Sequence, residues 1–259
     1  MVLEPESEAL LKQVCDRVRF KSVVNEDYGF GKKLPYGRGI AVVLYGPPGT
    51  GKTMAAQVLA NELGLDIYRI DLSQISSKYI GETEKNLGSV FDAARNSNAI
   101  LFFDEADALF SKRTEVTSSN DKHANAETSY LLQKIEEYPG MSILATNNMQ
   151  NFDAAFKRRM TYLVSVGIPD EETRAMLWEK AFPAQAPLGK DVNFKTLAKA
   201  VEMSGSNIKS AAVAAAYLAA ADKGVITMNH IADAVDQECK KNGKMNAKND
   251  ILQAMTGGF

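Results

Sequence analysis

Two groups of residues have the types and spacing that could bind phosphate groups and transfer one of them to water. The first is the segment GPPGTGKT at 46–53, which fits the pattern G-x-x-x-x-G-K-[ST] between a predicted strand and a predicted helix. Its glycines let successive backbone N–H groups face a phosphate, and the start of the helix adds positive charge. We expect Lys52 to reach the β- and γ-phosphates of ATP and the Thr53 hydroxyl to bind Mg²⁺. A Gly-Pro turn without a ligand would not need this Lys-Thr pair. The predicted nucleotide contacts in this segment are Gly46, Pro47, Pro48, Gly49, Thr50, Gly51, Lys52, Thr53 and Met54.

The second group is a pair of acids at the end of an apolar run, ILFFDE at 100–105. In a doubly wound sheet the carboxyl ends of the strands are where ligands bind. We expect Asp104 to hold Mg²⁺ through water and Glu105 to polarise the attacking water, because a carboxylate is basic enough for this only when it is not tied to the metal. The alternative is a solvated acidic loop. We interpret Asp107 as structural, capping the next turn.

Composition narrows the classes of partner. The chain has 259 residues, a net charge of −2 and 45% hydrophobic residues, so a sizeable core is expected and a global basic surface for nucleic acid is not. The longest apolar stretch, 211–221, is about half the length that a bilayer requires, which predicts no membrane partner. Cys15 and Cys239 lie far apart, which is typical of reduced thiols and predicts a cytoplasmic protein.

The order of the elements predicts a P-loop α/β fold. Short apolar runs alternate with helical stretches as far as about residue 169, and only helical patterns follow. We therefore expect a parallel five-stranded sheet with helices on both faces, followed by a small all-helical lid domain. The polar stretch 111–125 is interpreted as a loop before a helix at 126–138. The predicted domains are an N-terminal helical segment at 1–35, the nucleotide-binding domain at 36–169, the lid at 170–243 and a weakly ordered tail at 244–259.

Together, the segments GPPGTGKT, FFDEADALF and Ala145-Thr-Asn147 resemble the AAA family within the AAA+ superfamily. The resemblance implies that Asn147 is sensor 1, which orients the attacking water. The alternative, favoured in the absence of this resemblance, is that Asn147 or Asn148 simply caps a turn. It also implies that Arg158 and Arg159 form an arginine-finger segment that serves a neighbouring subunit. A basic helix end is the alternative for these two arginines.

Further positions follow from the same resemblance. The segment SKYIGETE at 77–84 resembles the first pore loop, so Lys78, Tyr79 and Ile80 are predicted to grip a polypeptide. In the lid, Gly205 is predicted to lie near the adenine. Lys209 occupies roughly the sensor 2 position, where a solvated helix face is the alternative. Backbone groups around 28–31 are expected to complete the adenine pocket.

The resemblance implies a homo-hexameric ring that uses ATP and Mg²⁺ to remodel or thread a protein or peptide substrate. The alternative is a nucleotide-switched assembly or scaffold module without threading. A DNA-handling ATPase is a third hypothesis, against which the near-neutral charge counts. A narrower resemblance, on segments such as KRTEV at 112–116, is to bacterial AAA ATPases found beside phage-tail-like contractile injection systems.

Overall fold

Five short segments of the chain form one parallel sheet. In chain order, strands β1 to β5 are Ile40–Tyr45, Ile67–Asp71, Ile100–Asp104, Met141–Thr146 and Tyr162–Ser165. They are arranged in the order β2-β3-β4-β1-β5. The inner strands β1, β3 and β4 are almost wholly buried, which explains their mostly apolar sequences. The predicted five-stranded parallel sheet is confirmed.

The structure is a computed structural model that describes residues 2–33, 39–72, 82–107, 119–241, 243 and 246–256, with the backbone alone for 82–83, 119–125 and 151. The chain divides into two compact units. The first consists of 5–47 and 52–166, and the second of 167–259 with the short stretches 2–4 and 48–51. No helix in the described part of the chain is both long enough and apolar enough to cross a bilayer.

Helices cover both faces of the sheet in the first unit. They are α1 Pro5–Arg19, α2 Phe30–Lys33, α3 Lys52–Leu63, α4 Glu82–Ser97, α5 Ser119–Glu137 and α6 Ala154–Arg159. Buried aromatic rings join this layer to the sheet: Phe91 of α4 lies 5.7 Å from Phe103 of β3 and 5.8 Å from Tyr138, measured between ring centroids. Such contacts anchor the strand that ends in the predicted acids.

In the residues that the structure describes, the regular structure of the second unit consists of helices and one isolated bridge between Leu188 and Ile226. Its helices are α7 Glu171–Ala181, α8 Phe194–Ala200, α9 Gly205–Ala221, α10 Met228–Lys241 and α11 Ala247–Met255. Trp178 is buried at the centre of their apolar core and stacks on Phe182 at 6.5 Å. The boundary of α7 is set by Asp170, whose carboxylate accepts a hydrogen bond from the Thr173 N–H at 2.8 Å.

Two segments differ from the expectation. The interval predicted as a polar loop, 111–125, is helical from Ser119 onward, because nothing in 119–125 breaks a helix although no apolar period marks one. The stretch expected to be a weakly ordered tail contains α11, and its Ala247 and Ile251 are buried in the second core. The nine residues of this helix are too few to show a clear apolar period, so the sequence did not predict it.

Candidate functional site

The register of the inner strands brings the predicted chemistry to one edge of the sheet. Tyr45 at the end of β1 pairs with Thr146 at the end of β4, and β4 lies between β1 and β3. The residues that follow these strands are the GPPGTGKT segment, Asn147 and the acids at 104–105. Because all three strands are parallel, their carboxyl ends meet there.

The backbone of the GPPGTGKT segment needs its glycines. Gly46, Gly49 and Gly51 have φ values of 149°, 77° and 104°, in a region that residues with a Cβ rarely adopt. α3 begins at Lys52, directly after the last of them. This is the geometry in which backbone N–H groups and a helix N-terminus can bind an anion. Met54, predicted as a contact, is exposed.

Lys52 is the most enclosed charged group at this edge. Only 9% of the surface of this residue is exposed to solvent. Its ammonium donates to the Gly46 carbonyl at 2.7 Å, the Pro47 carbonyl at 2.9 Å and Asn147 Oδ1 at 2.8 Å. An ammonium has three hydrogens, so all of them have acceptors. A phosphate that binds Lys52 must therefore replace at least one of these protein contacts.

Two opposing effects act on the pKa of Lys52. Burial lowers the pKa below its ordinary value because it penalises the charged form. The carboxylates of Asp107 and then Asp104 act in the opposite direction, since they attract the ammonium. The acids at the end of β3 thus help to keep a buried cation charged, which phosphate binding requires.

The two adjacent acids occupy different environments. Asp104 has a side chain that is 16% exposed, and its Oδ2 lies 2.8 Å from the Arg69 guanidinium, whose side chain is 65% exposed. Its Oδ1 accepts the Glu105 N–H at 3.0 Å. Glu105 is exposed and has φ 52°, which is uncommon for a residue other than glycine. Asp104 is thus fixed by an ion pair and a hydrogen bond, whereas Glu105 is exposed, and this difference fits the predicted roles of metal binding for Asp104 and activation of water for Glu105.

The Arg69 contact was not predicted. Arg69 lies on β2, two residues before the strand ends, where nothing in the local sequence marks it as a partner for an acid on β3. Only the pairing of β2 with β3, which sets Asp71 beside Asp104, brings it within reach.

Asp107 contacts the end of β4. Its Oδ1 accepts a hydrogen bond from the Thr146 hydroxyl, and its Oδ2 accepts the Asn147 N–H at 2.9 Å. The residues after Asp107, where it was predicted to cap a turn, lie outside the described part of the chain. The contacts that are described join positions about forty residues apart, so no local pattern could have predicted them.

The two asparagines after β4 have different partners. Asn148 accepts the Gln150 N–H at 3.0 Å and caps the short 3₁₀ turn Met149–Asn151. Asn147 instead accepts from Lys52. Asn147 therefore contacts the lysine of the GPPGTGKT segment and Asn148 caps a turn, while the role of Asn147 as sensor 1 stays a prediction.

A second set of predicted residues lies at the end of α6. Asp153 caps this six-residue helix by accepting the Phe156 N–H at 2.7 Å. Arg159 forms an ion pair with Glu136 at 3.4 Å. Arg158 is exposed and has no ion pair among the residues that the structure describes.

The remaining predicted site residues lie either outside the described residues or in the second unit. Lys78, Tyr79 and Ile80 lie outside the described residues. Gly205 and Lys209 belong to the second unit, on α9, where Lys209 is exposed. A Cβ added at Gly205 would meet only Leu177 Cδ1 at 3.8 Å, an ordinary contact, so packing within that unit does not require glycine.

The residues at the sheet edge fit a magnesium ion only together with a phosphate ligand. Thr53 and Asp104 supply one hydroxyl and one carboxylate. In the described part of the chain, no group of three or more His, Cys, Asp or Glu side chains could hold a metal ion. Mg²⁺ usually takes one or two protein oxygens and completes its octahedron with water and phosphate oxygens, which suits such a sparse set.

Comparison with known proteins agrees with this geometry. Residues 42–168 match the sequence model of the ATPase family associated with various cellular activities (AAA). The chain is 30% identical over 213 residues to the proteasome-activating nucleotidase of Saccharolobus solfataricus, covering 79% of this chain and 54% of that protein. It is 36% identical over 162 residues to the cell division cycle protein 48 homolog of Archaeoglobus fulgidus, covering 61% of this chain and 22% of that protein. It is 32% identical over 245 residues to the ATP-dependent zinc metalloprotease FtsH of Lachnoclostridium phytofermentans, covering 87% of this chain and 42% of that protein.

The chain thus spans about half the length, or less, of these curated relatives. The matched stretch contains the GPPGTGKT segment from its strand onward, the acids after β3, Asn147 and the arginines of α6. The predicted class of enzyme, an ATPase, is confirmed at the level of the family. Residues 42–168 are a domain of the AAA family of ATPases.

Proposed function

We propose that this chain binds Mg·ATP and hydrolyses its γ-phosphate with water. The observation that carries the proposal is the position of the Lys52 ammonium. It contacts both the loop after β1 and Asn147 after β4, close enough to Asp104 and Asp107 for their charges to act on it. A cation, an amide and carboxylates gathered at the carboxyl edge of one sheet are the parts that phosphoryl transfer to water needs.

Each residue has a separate role in this proposal. Lys52 exchanges its carbonyl contacts for phosphate oxygens and stabilises the charge that develops on them. Glu105, which is exposed, accepts a proton from the attacking water, and Asn147 orients that water. Thr53 and Asp104 would hold Mg²⁺, whose charge neutralises the phosphate oxygens.

Glu105→Gln tests the chemistry. The variant keeps its shape but loses its basicity, so ATP binding is expected to persist while steady-state phosphate release disappears. Asp92→Asn, which neutralises an exposed acid on α4, is the matched control and is expected to hydrolyse ATP at the wild-type rate. Hydrolysis by Glu105→Gln at the rate of this control would contradict the role of Glu105.

We further propose that the active site is completed by a neighbouring copy in a homo-hexameric ring. The support is Arg158, an exposed guanidinium at the end of a capped helix with no described partner in its own subunit. A cation supplied by a neighbour makes the rate depend on assembly. ATPase activity per subunit is therefore expected to rise with protein concentration, and a rate independent of concentration across the assembly range would contradict this.

The work done by hydrolysis is proposed to be remodelling or threading of a protein segment. Support comes from relatives whose names join nucleotide use to proteolysis, the proteasome-activating nucleotidase and the ATP-dependent metalloprotease. Tyr79→Ala separates this from the alternative, a nucleotide-switched assembly module. Threading predicts that substrate processing is lost while ATPase activity remains, whereas unchanged processing would favour the alternative.

The resemblance to ATPases beside contractile injection systems stays a prediction. The cytoplasmic location and the absence of a nucleic-acid partner stay predictions as well.

A further inference from the structure

Asp107 is a carboxylate of this edge to which the proposed mechanism gives no role of its own in the chemical step. It lies three residues after the end of β3, and its carboxylate spans the gap to the end of β4. One oxygen accepts the Thr146 hydroxyl and the other accepts the Asn147 N–H at 2.9 Å. A carboxylate that receives two donors from consecutive residues fixes both the position and the orientation of that short stretch.

The contact from Thr146 is part of a closed arrangement. Thr146 is buried, and its hydroxyl also accepts the Asn148 N–H at 3.1 Å while donating to Asp107. A hydroxyl has one hydrogen, so its single donor is used on the carboxylate. The turn that follows β4 is therefore held from both sides of Asn147.

Asn147 itself has little else to hold it. The residue is exposed, so packing does not fix its side chain. Its described contacts are the N–H bond to Asp107 and the 2.8 Å bond from Lys52 to its Oδ1. A phosphate ligand competes for the acceptors of the Lys52 ammonium, whereas the Asp107 contact to the Asn147 N–H involves neither Lys52 nor the ligand.

We propose that Asp107 is a positioning residue for ATP hydrolysis, which acts by fixing Asn147 through its backbone N–H and through Thr146. The proposal rests on the proposed ATPase function of this site. Asp107 touches neither the phosphates nor the attacking water in this role, so its loss affects turnover more than nucleotide binding. A displacement of about 1 Å at a catalytic group can lower a rate by about 10²-fold.

The test uses the full 259-residue chain and the variant Asp107→Asn, which keeps the size of the side chain but replaces one acceptor oxygen with a donor. We expect kcat to fall by about 10²-fold. The dissociation constant for ATP is expected to rise by much less than kcat falls, because Asp104 still supports the charge of Lys52. The thermal midpoint is expected to stay near the wild-type value. A kcat close to wild type would overturn the proposal. A fall in kcat matched by equal losses in ATP affinity and thermal stability would also overturn it, because that pattern indicates a merely structural role.

Thr146→Val and Thr146→Ser form a matched pair that does not alter the acid. The first removes the hydroxyl that Asp107 holds and the second retains it. We expect kcat to fall in the first and to remain near wild type in the second, and equal kcat values for the two would contradict the proposal even where Asp107→Asn does not fold.

Hydrogen exchange at the Asn147 amide is a readout that needs no turnover. This N–H is expected to be protected in the wild type and to exchange faster in Asp107→Asn. Equal exchange rates in the two proteins would overturn the proposal that Asp107 fixes Asn147. If the wild-type chain does not hydrolyse ATP, the proposed function is refuted instead. The failure of the proposed function is therefore distinguishable from the failure of the role proposed for Asp107.

Discussion

Arg158 and Arg159 are neighbours on one short helix, but their surroundings differ enough to predict unequal effects of substitution. Arg159 is paired with Glu136 of α5 within its own subunit, whereas Arg158 is exposed without a described ion pair. A residue that acts on a neighbour's phosphates must be free to leave its own surface. We therefore predict that Arg158 is the finger and that Arg159 holds α6 against α5.

The magnitudes follow from these contacts. An arginine finger is worth about 10³–10⁵ in rate, which corresponds to about 4–7 kcal/mol of the barrier. The pair of Arg159 and Glu136 spans 3.4 Å with side chains 42% and 41% exposed, so it contributes at most about 1 kcal/mol to stability. Arg158→Ala is expected to lower kcat by about 10³-fold or more while changing the free energy of unfolding by less than about 0.5 kcal/mol.

The assay combines steady-state phosphate release with urea unfolding of three variants. Arg159→Ala and the matched control Glu136→Gln break the same ion pair from opposite sides. Both are expected to lose up to about 1 kcal/mol of stability and to retain most of the wild-type kcat. If Arg159→Ala instead loses kcat as Arg158→Ala does while Glu136→Gln retains it, the reasoning is refuted and Arg159 is the finger.

Three predictions concern stability. Ser142→Ala is expected to raise the free energy of unfolding by about 1 kcal/mol in urea, because the buried Ser142 Oγ has no hydrogen-bond partner among the described residues; a loss would contradict this. Tyr138→Phe removes a buried hydroxyl that donates to the Ala99 carbonyl at 2.5 Å, and we expect it to cost about 1 kcal/mol in the same assay. Asp170→Ala removes the N-cap of α7, which is expected to cost about 1 kcal/mol of stability and to lower the thermal midpoint, whereas Asp170→Asn keeps a capping oxygen. The Thr173 N–H lowers the pKa of Asp170, so its contribution is present above a pH of about 3.9 and is lost on acidification; Asp170→Asn is expected to lack this part of the pH dependence.

The fold could be predicted from sequence because its main signals are local. Each inner strand is a short, mostly apolar run, and the GPPGTGKT segment indicates a strand before it and a helix after it. Parallel strands then place their carboxyl ends together, so Asn147 could be expected near the acids without any coordinates. Helix α11 was missed because its nine residues are too few for a clear apolar period, although Ala247 and Ile251 are buried.

The parts of the site that were missed depend on contacts between distant positions. Arg69 meets Asp104 only through the pairing of β2 with β3, and Asp107 meets Thr146 only through the packing of β3 beside β4. The difference between Arg158 and Arg159 rests likewise on a glutamate from another helix, Glu136. In each case the residue type was compatible with several partners, and tertiary structure selected one.

The central claim is that ATP is hydrolysed at a site shared between two copies of this chain. The most direct test mixes Glu105→Gln with Arg158→Ala and measures phosphate release from each variant alone and from equimolar mixtures. Each alone is expected to be nearly inactive. In a mixed ring, about one interface in four joins an intact Glu105 to an intact Arg158 of its neighbour, so the mixture is expected to recover about a quarter of the wild-type rate. A mixture that stays as inactive as its components, in rings shown to contain both variants, would contradict the account.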